Sequence, residues 1–172
     1  MIIAQTPRLI LRELTPDDAK AMCALNDDPR VMRDLPGPAD NSVAAERSRL
    51  ARYADRTYRT LGFGIWATVL REDERVIGRC GLRRQELDGV DEVELTYQIA
   101  FIRWGRGFAT EAAAAIRHHA FQTLELPRLI ALVPLDNLPS RRVAEKTGLK
   151  LERDVPWSGK RFHLFAAGRS AS

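Results

Sequence analysis

The chain has 172 residues, of which 45% are hydrophobic and 29% are charged, a composition typical of a soluble globular protein that buries one core. The sequence has no apolar stretch long enough to span a membrane and no secretory signal. We therefore expect a cytoplasmic protein with one domain over residues 1–172 and no membrane partner. The net charge of +4 comes from arginines scattered among acids, which argues against nucleic-acid binding and favours at most one basic groove.

The N-terminal third is predicted to contain one strand and two helices. Residues 8–13 alternate apolar and charged side chains, as a strand does. A hydroxyl cap, a proline and two acids open a helix over residues 15–26. A longer helix follows over residues 43–60, and Gly62 is predicted to end it.

The middle of the chain is predicted to form an antiparallel meander. Residues 65–70, 76–83 and 93–101 are rich in β-branched and apolar side chains. Asp88 and Gly89 form a strong hairpin-turn signal between the second and third of these strands.

The C-terminal part alternates strands with a short helix. Residues 129–135 form a short apolar run, as expected for a buried central strand. Asn137 is a good helix N-cap, and Gly148 ends that helix. Two strands, 151–155 and 162–166, complete a mixed α/β unit. The chain has two cysteines, Cys23 and Cys80, which we expect to be reduced and buried.

A glycine turn between the strand 93–101 and a helix predicts an anion site. Gly105 and Gly107 are separated by one residue, and an alanine-rich helix begins immediately after them. Glycine lets backbone N–H groups approach a ligand, and the first turn of a helix leaves N–H donors unpaired under a positive dipole. The natural guest of such a turn is a phosphate or pyrophosphate.

Five segments in order along the chain carry a family resemblance. They are Thr6-Pro7-Arg8-Leu9-Ile10-Leu11-Arg12, Val76-Ile77-Gly78-Arg79-Cys80-Gly81-Leu82, Glu94-Leu95-Thr96-Tyr97, Trp104-Gly105-Arg106-Gly107-Phe108-Ala109-Thr110-Glu111-Ala112, and the helix from Asn137-Leu138-Pro139-Ser140 to Gly148-Leu149. Together they resemble the GNAT acyltransferase superfamily, and more narrowly the branch that includes ribosomal-protein N-terminal acetyltransferases. Two departures are Thr96, where that branch has glycine, and Trp104, where the superfamily has glutamine or arginine.

The resemblance implies a fold, a cosubstrate and a reaction. The fold is α/β (α+β): a twisted, mixed, largely antiparallel sheet of seven strands, flanked by about four helices, with splayed central strands. The cosubstrate is acetyl-CoA, and the reaction is direct transfer of its acetyl group to a primary amine, either a protein N-terminus or a small molecule. The residues implied to bind acetyl-CoA are Tyr97, Gln98, Ile99, Trp104, Gly105, Arg106, Gly107, Phe108, Ala109, Thr110, Asn137 and Arg142.

Catalytic roles are predicted for Glu94, Ser140 and Asn137. In many relatives a tyrosine of this helix acts as the proton donor, and this chain has Ala144 at that position. Ser140 lies one helical turn before Ala144 on the same face. Ser140, or a water that it holds, could protonate the thiolate; the alternative is an ordinary first-turn serine. Glu94 is a candidate base, directly or through water, and the alternative is a solvated strand carboxylate that only attracts the amine. Asn137 is either an N-cap alone or also a contact of the pantetheine or sulfur.

Other readings remain open. The turn also begins a dinucleotide fingerprint, although Thr110 occupies its third glycine position, and a non-catalytic CoA-binding sensor is a further alternative. We expect no metal, because His118 and His119 are adjacent on a helix and diverge by about 100°. Glu111 is expected to be structural. The identity of the amine is open, and a homodimer through the C-terminal strands is a possibility.

Overall fold

The computed structural model describes residues 1–169 and contains one sheet of eight strands in the order β1-β2-β3-β4-β5-β6-β8-β7. The strands are β1 (Ile2–Gln5), β2 (Leu9–Glu13), β3 (Ile65–Leu70), β4 (Val76–Leu87), β5 (Val90–Ile99), β6 (Arg128–Pro134), β7 (Lys150–Trp157) and β8 (Lys160–Gly168). Every neighbouring pair is antiparallel except β5 and β6. Seven strands were predicted, and the additional strand is β1. Its four residues are too few to show an alternation in the sequence. Residues 170–172 of the expected domain lie outside the described residues.

Five helices flank the sheet in the described part of the chain. They are α1 (Ala19–Asp27), α2 (Pro29–Met32), α3 over residues 43–61, α4 (Phe108–Gln122) and α5 (Leu138–Lys146). The α3 segment joins Val43–Tyr53 and Arg59–Leu61 through a wider π turn, and it ends at Gly62 with φ of 73°. None of the helices over residues 1–169 has both the length and the apolar character needed to cross a membrane.

The predicted meander of β3, β4 and β5 is confirmed, with longer strands than the sequence indicated. Asp88 and Gly89 turn with φ of 52° and 76°, so both residues use the left-handed region that a two-residue hairpin requires. The two strands of this hairpin are paired right up to the turn, Glu86 with Asp91 and Leu87 with Val90.

The core lies in two layers, one on each face of the sheet. The α4 helix buries Ala112, Ala113 and Ile116 against one face, next to Cys80 and Leu95. On the other face, α1 and α3 pack Met22 and Leu50 against Val69. Cys23 and Cys80 are both buried and free, as predicted.

The sheet separates between β5 and β6, which is the expected splay. The β4 and β5 strands are paired at ten positions, whereas β5 and β6 are paired at one, Glu94 with Ile130. Beyond this pair the two strands diverge, and the backbone groups of β5 on that side face a gap.

Candidate active site

The gap between β5 and β6 opens into a cleft of about 520 Å³. It runs from the glycine turn at the end of β5 to a group of charged and aromatic side chains around Glu94. The predicted site residues that line it are Glu94, Tyr97, Gln98, Ile99, Trp104, Gly105, Gly107, Phe108, Ala109, Thr110, Asn137, Ser140 and Arg142. Residues from distant parts of the sequence therefore meet in one continuous cleft.

The glycine turn has the backbone conformation that its sequence requires. Gly105 and Gly107 have φ of 75° and 80°, and Gly107 is the N-cap of α4. A Cβ at Gly105 would meet no atom within 4 Å, so this surface is open to a ligand. The first turn of α4 presents its N–H groups at the same place, since Gly107 caps it without a side chain.

Arg8 holds the glycine turn against the start of β2, a role that no local pattern in the sequence indicates. Its Nε donates to Glu111 Oε2 at 2.7 Å, its Nη1 donates to the Arg106 carbonyl at 2.9 Å, and its guanidinium lies 4.5 Å from the centre of the Phe108 ring. Burial of Glu111 opposes its ionisation, but hydrogen bonds from Thr6 and Arg8 outweigh this and lower the pKa of Glu111. Glu111 is therefore structural, as predicted, and its partner Arg8 lies 103 residues earlier in the chain.

The cations near the turn differ in whether they line the cleft. The Arg106 side chain does not line the cleft, and its carbonyl is bonded to Arg8. Arg103, Arg142 and Lys146 do line the cleft, and none of these three has an ion pair within residues 1–169. Arg103 belongs to no recognised motif. Only its position two residues before Gly105 could have indicated that it lines the cleft.

The backbone of β5 presents alternate residues to the gap. The Ala100 N–H donates to Ile77 in β4, so by strand alternation the backbone groups of Gln98 also face β4 and those of Tyr97 and Ile99 face the gap. The Ile99 carbonyl already accepts a hydrogen bond of 2.6 Å from the Trp104 indole Nε1. Gln98 reaches the cleft only with its side chain, which is bonded to Arg79.

Glu94 is buried, so the alternative of a solvated strand carboxylate is wrong. It is 5% exposed, and its Oε2 accepts from Arg83 Nη2 at 2.6 Å and Nε at 3.0 Å. Burial raises the pKa of Glu94, while Arg83 and the Leu132 backbone N–H oppose the rise. Arg83 belongs to no sequence motif, but Arg83 and Glu94 each lie five positions from the Asp88-Gly89 turn and must face each other in a two-residue hairpin.

Ser140 lies beside the hydroxyl of Tyr97, a side-chain contact that the sequence did not predict. Ser140 Oγ donates to the Tyr97 hydroxyl oxygen at 3.2 Å, and that hydroxyl donates to the Ser140 carbonyl at 2.8 Å. Burial raises the pKa of Tyr97, so it is a neutral phenol. Ala144 is fully buried next to this pair. A tyrosine hydroxyl therefore stands near Ala144, the helix position at which the family resemblance implies a tyrosine, but it comes from β5.

Asn137 caps α5 and also contacts a second loop. Its Oδ1 accepts from the Ser140 N–H at 3.1 Å, and its Nδ2 donates to Asp34 Oδ2 at 3.3 Å. Asp34 follows α2 and lines the cleft together with Leu35. The amide thus orients Ser140 and links the α2 loop to the far side of the gap.

The remaining titratable clusters do not form a ligand site. His163 Nδ1 lies 2.6 Å from Asp154 Oδ1, and His119 packs edge-on against Trp66. Over residues 1–169, no group of three or more His, Cys, Asp or Glu side chains is arranged to hold a metal ion. Neither cysteine lines the cleft, and burial raises the pKa of both thiols.

A mixed sheet that splays beside a glycine turn, with a helix beginning at that turn, is the architecture of the acetyltransferase fold. Residues 8–150 match the family described as "Acetyltransferase (GNAT) domain". The chain belongs to the GNAT family.

Similar proteins agree with this assignment. The chain is 29% identical over 150 residues to the Bacillus subtilis (strain 168) protein named as the uncharacterised N-acetyltransferase YoaA, covering 87% of this chain and 84% of that one. The crystal structure of an acetyltransferase from Agrobacterium tumefaciens is 30% identical, with a TM-score of 0.77 over 95% of this chain and 92% of that one. A ribosomal-protein acetyltransferase from Vibrio fischeri shares the fold at 14% identity, with a TM-score of 0.78 and 96% of each chain covered.

Proposed function

We propose that this protein transfers an acetyl group from acetyl-CoA to a primary amine by direct attack. The observation that carries the proposal is the splay of β5 from β6, which joins the glycine turn and the buried Glu94 carboxylate in one cleft. Direct attack is favoured over an acyl-enzyme because both thiols are buried, protonated and outside the cleft.

The residues of the cleft fit acetyl-CoA. Backbone N–H groups of Gly107, Ala109 and Thr110 at the start of α4 would hold the pyrophosphate, with Arg103 and Arg142 as nearby cations. The backbone groups of Tyr97 and the N–H of Ile99 would pair with the pantetheine amides in the gap. The Ile99 carbonyl is taken by Trp104, so it does not take part in that pairing. The Arg106 carbonyl is taken by Arg8, so it would not take part in binding acetyl-CoA.

The thioester supplies an activated acyl group: its carbonyl carbon forms a bond to the amine nitrogen, the carbon–sulfur bond breaks, the nitrogen loses a proton and the sulfur gains one. Glu94 is the base for the nitrogen proton, directly or through one water, because among the described residues it is the only carboxylate of the cleft that lies at the splay. Its raised pKa makes it a stronger base than an exposed glutamate.

Ser140 is the proposed proton donor to the sulfur. Asn137 fixes its backbone and Tyr97 fixes its hydroxyl, so the serine is oriented from two sides. Tyr97 is a positioning residue here, because its hydroxyl accepts from the Ser140 hydroxyl and donates to the Ser140 carbonyl.

A thiol-release assay over a panel of amines, with acetyl-CoA as donor, tests the function. We expect turnover, a fall in kcat of about 100-fold in Ser140→Ala and in Glu94→Gln, and little change in the affinity for acetyl-CoA measured by calorimetry. Calorimetry with NAD should show no comparable binding. Tight acetyl-CoA binding without turnover on any amine would instead identify a CoA sensor, and unchanged kcat in Ser140→Ala would remove its catalytic role.

A further inference from the structure

The guanidinium of Arg83 is only partly used by the protein. Its Nε and Nη2 both bond to a single oxygen, Oε2 of Glu94. Its Nη1 has no hydrogen-bond partner within residues 1–169 and is reached by solvent, and the side chain is 39% exposed where it lines the cleft. One edge of the guanidinium is therefore available to a ligand.

Arg83 is held in place on two sides. Glu94 binds it on one side, and the Trp157 ring lies 5.7 Å from its carbon Cζ on the other. Trp157 packs edge-on against Phe162 at 5.2 Å, and both aromatic residues line the cleft. A fixed guanidinium edge binds a carboxylate through paired hydrogen bonds, and little side-chain entropy is lost when it does.

Arg83 lies too far along the sheet to serve the pyrophosphate. It faces Glu94, which is five residues before Ile99 at the end of β5. At about 3.3 Å per residue, Glu94 and its partner Arg83 lie roughly 17 Å along the sheet from the end of β5, which precedes the glycine turn. The free edge of Arg83 is therefore on the side of the amine acceptor.

The carboxylates of the cleft are not available to a polycationic acceptor. Five cations line the cleft, namely Arg30, Arg83, Arg103, Arg142 and Lys146, of which the last three lie near the glycine turn, and only two carboxylates line it among the described residues. Both carboxylates already have an arginine partner: Arg33 lies 3.1 Å from Asp34, and Arg83 lies 2.6 Å from Glu94. A second ammonium group on the acceptor would find no unpaired carboxylate among the described lining residues.

From these contacts we propose that the acceptor is an amino acid, an amine with a carboxylate on the same or the adjacent carbon, and that Arg83 binds this carboxylate. Because Arg83 Nη2 touches Glu94, an amine that reaches Glu94 has its carboxylate beside Nη1 only if the two groups are a few bonds apart. The side chain of the amino acid then lies against Trp157 and Phe162, which favours apolar residues. This substrate class rests on the proposed acetyl transfer in the same cleft.

The test compares acids with their amides. Leucine, methionine and phenylalanine, their three amides, and spermidine are assayed by thiol release with acetyl-CoA. The amide has a less basic amine, so ionisation alone favours the amide over the acid. We expect kcat/KM for the best acid to exceed that of its amide by at least about 10-fold, from the charge-assisted bond to Arg83, and spermidine to be poorer still.

The Arg83→Lys variant keeps a cation beside Glu94 but removes the free edge of the guanidinium. We expect its acid-to-amide ratio of kcat/KM to fall at least about 10-fold, to a value below one, because ionisation of the amine alone favours the amide. Turnover of both substrates changes together through Glu94, which both use as the base, so the ratio isolates the contact with the carboxylate. Arg84→Lys is the matched control, since Arg84 pairs with Asp91 outside the cleft, and it should keep the wild-type ratio. A wild-type ratio of one or less, spermidine as the best acceptor, or an unchanged ratio in Arg83→Lys overturns carboxylate recognition while transfer stands. No turnover with any amine overturns both proposals.

Discussion

Glu94 combines burial with an arginine partner, and these have opposite effects on its ionisation. Burial dominates and raises the pKa of Glu94 above the ordinary glutamate value of about 4.3. The carboxylate required of a base is therefore lost at a higher pH than in an exposed glutamate. The amine must also be neutral, so two ionisations limit the reaction as the pH falls.

The first prediction is a two-step acid limb. In the wild type, the slope of log kcat/KM for the amine against pH should be about one below the amine pKa and about two below the Glu94 pKa. In Glu94→Gln the rate should be lower and the slope should stay near one. Glu92→Gln is the control, because Glu92 pairs with Arg128 and does not line the cleft. A second step that persists in Glu94→Gln would exclude Glu94 as the base.

The second prediction concerns the Tyr97 hydroxyl. Tyr97→Phe leaves the Ser140 carbonyl without its donor and the Ser140 hydroxyl without its acceptor, which should cost about 1 kcal/mol in the free energy of unfolding. Because Ser140 becomes free to rotate, kcat should fall about 10-fold while KM for acetyl-CoA changes less than twofold.

Tyr58→Phe is the control for this loss of stability. The Tyr58 hydroxyl bonds the backbone of Leu14 and Ile65 away from the cleft, so its removal should destabilise the protein similarly without lowering kcat. Equal kcat in Tyr97→Phe and the wild type would show that the contact is only structural.

At the scale of elements, the glycine turn is the part that a local pattern predicts best. Its conformation depends on residues adjacent in sequence, and a positive φ almost requires glycine. The same reasoning found the hairpin at Gly89 and the N-cap at Asn137. Arg8 could not be found in this way, because its bonds to Glu111 join residues 103 positions apart.

The third prediction separates the stability of the turn from its binding role. Gly105→Ala and Gly89→Ala place a Cβ at φ of 75° and 76°, with no atom within 4 Å in either case. Each should lose about 1–2 kcal/mol of unfolding free energy from backbone strain. Only Gly105→Ala should weaken acetyl-CoA binding, by about 10-fold or more in calorimetry, because its Cβ occupies the ligand side of the turn. Equal affinities in the two variants would place the pyrophosphate elsewhere.

At the scale of the whole molecule, the sequence indicated the sheet and the splay through family resemblance, but it did not indicate the acceptor end of the cleft. Glu94 alternates with Glu92 and Thr96 and so resembles a solvated strand face. That face is instead covered by Arg83 from β4 and by Trp157 from the C-terminal hairpin. The burial and the charge pairing of Glu94 depend on how three distant segments pack. The alternation of side chains along one strand does not contain that information.

Because the sheet is split at the splay, the contacts between its two halves depend on the ligand that fills the gap. Strands β1–β5 and β6–β8 share one residue pair, so a ligand that bonds the β5 edge replaces contacts that a continuous sheet would have. Acetyl-CoA at about 100 times its Kd should stabilise the fold by about 2.7 kcal/mol, which for a domain of this size raises Tm by roughly 5–10 °C.

The fourth prediction is that this stabilisation is local to the gap. Amide hydrogen exchange should slow most at Tyr97 and Ile99, whose N–H groups face the gap, and at the first turn of α4. It should change little in β3, whose neighbours β2 and β4 pair with it on both edges. NAD carries a pyrophosphate but no pantetheine, so it serves as the control ligand and should protect neither site at the same concentration. Protection of α4 alone by acetyl-CoA would mean that the pyrophosphate binds at the turn while the pantetheine lies outside the splay, and the placement of the acetyl group beside Glu94 would then be wrong.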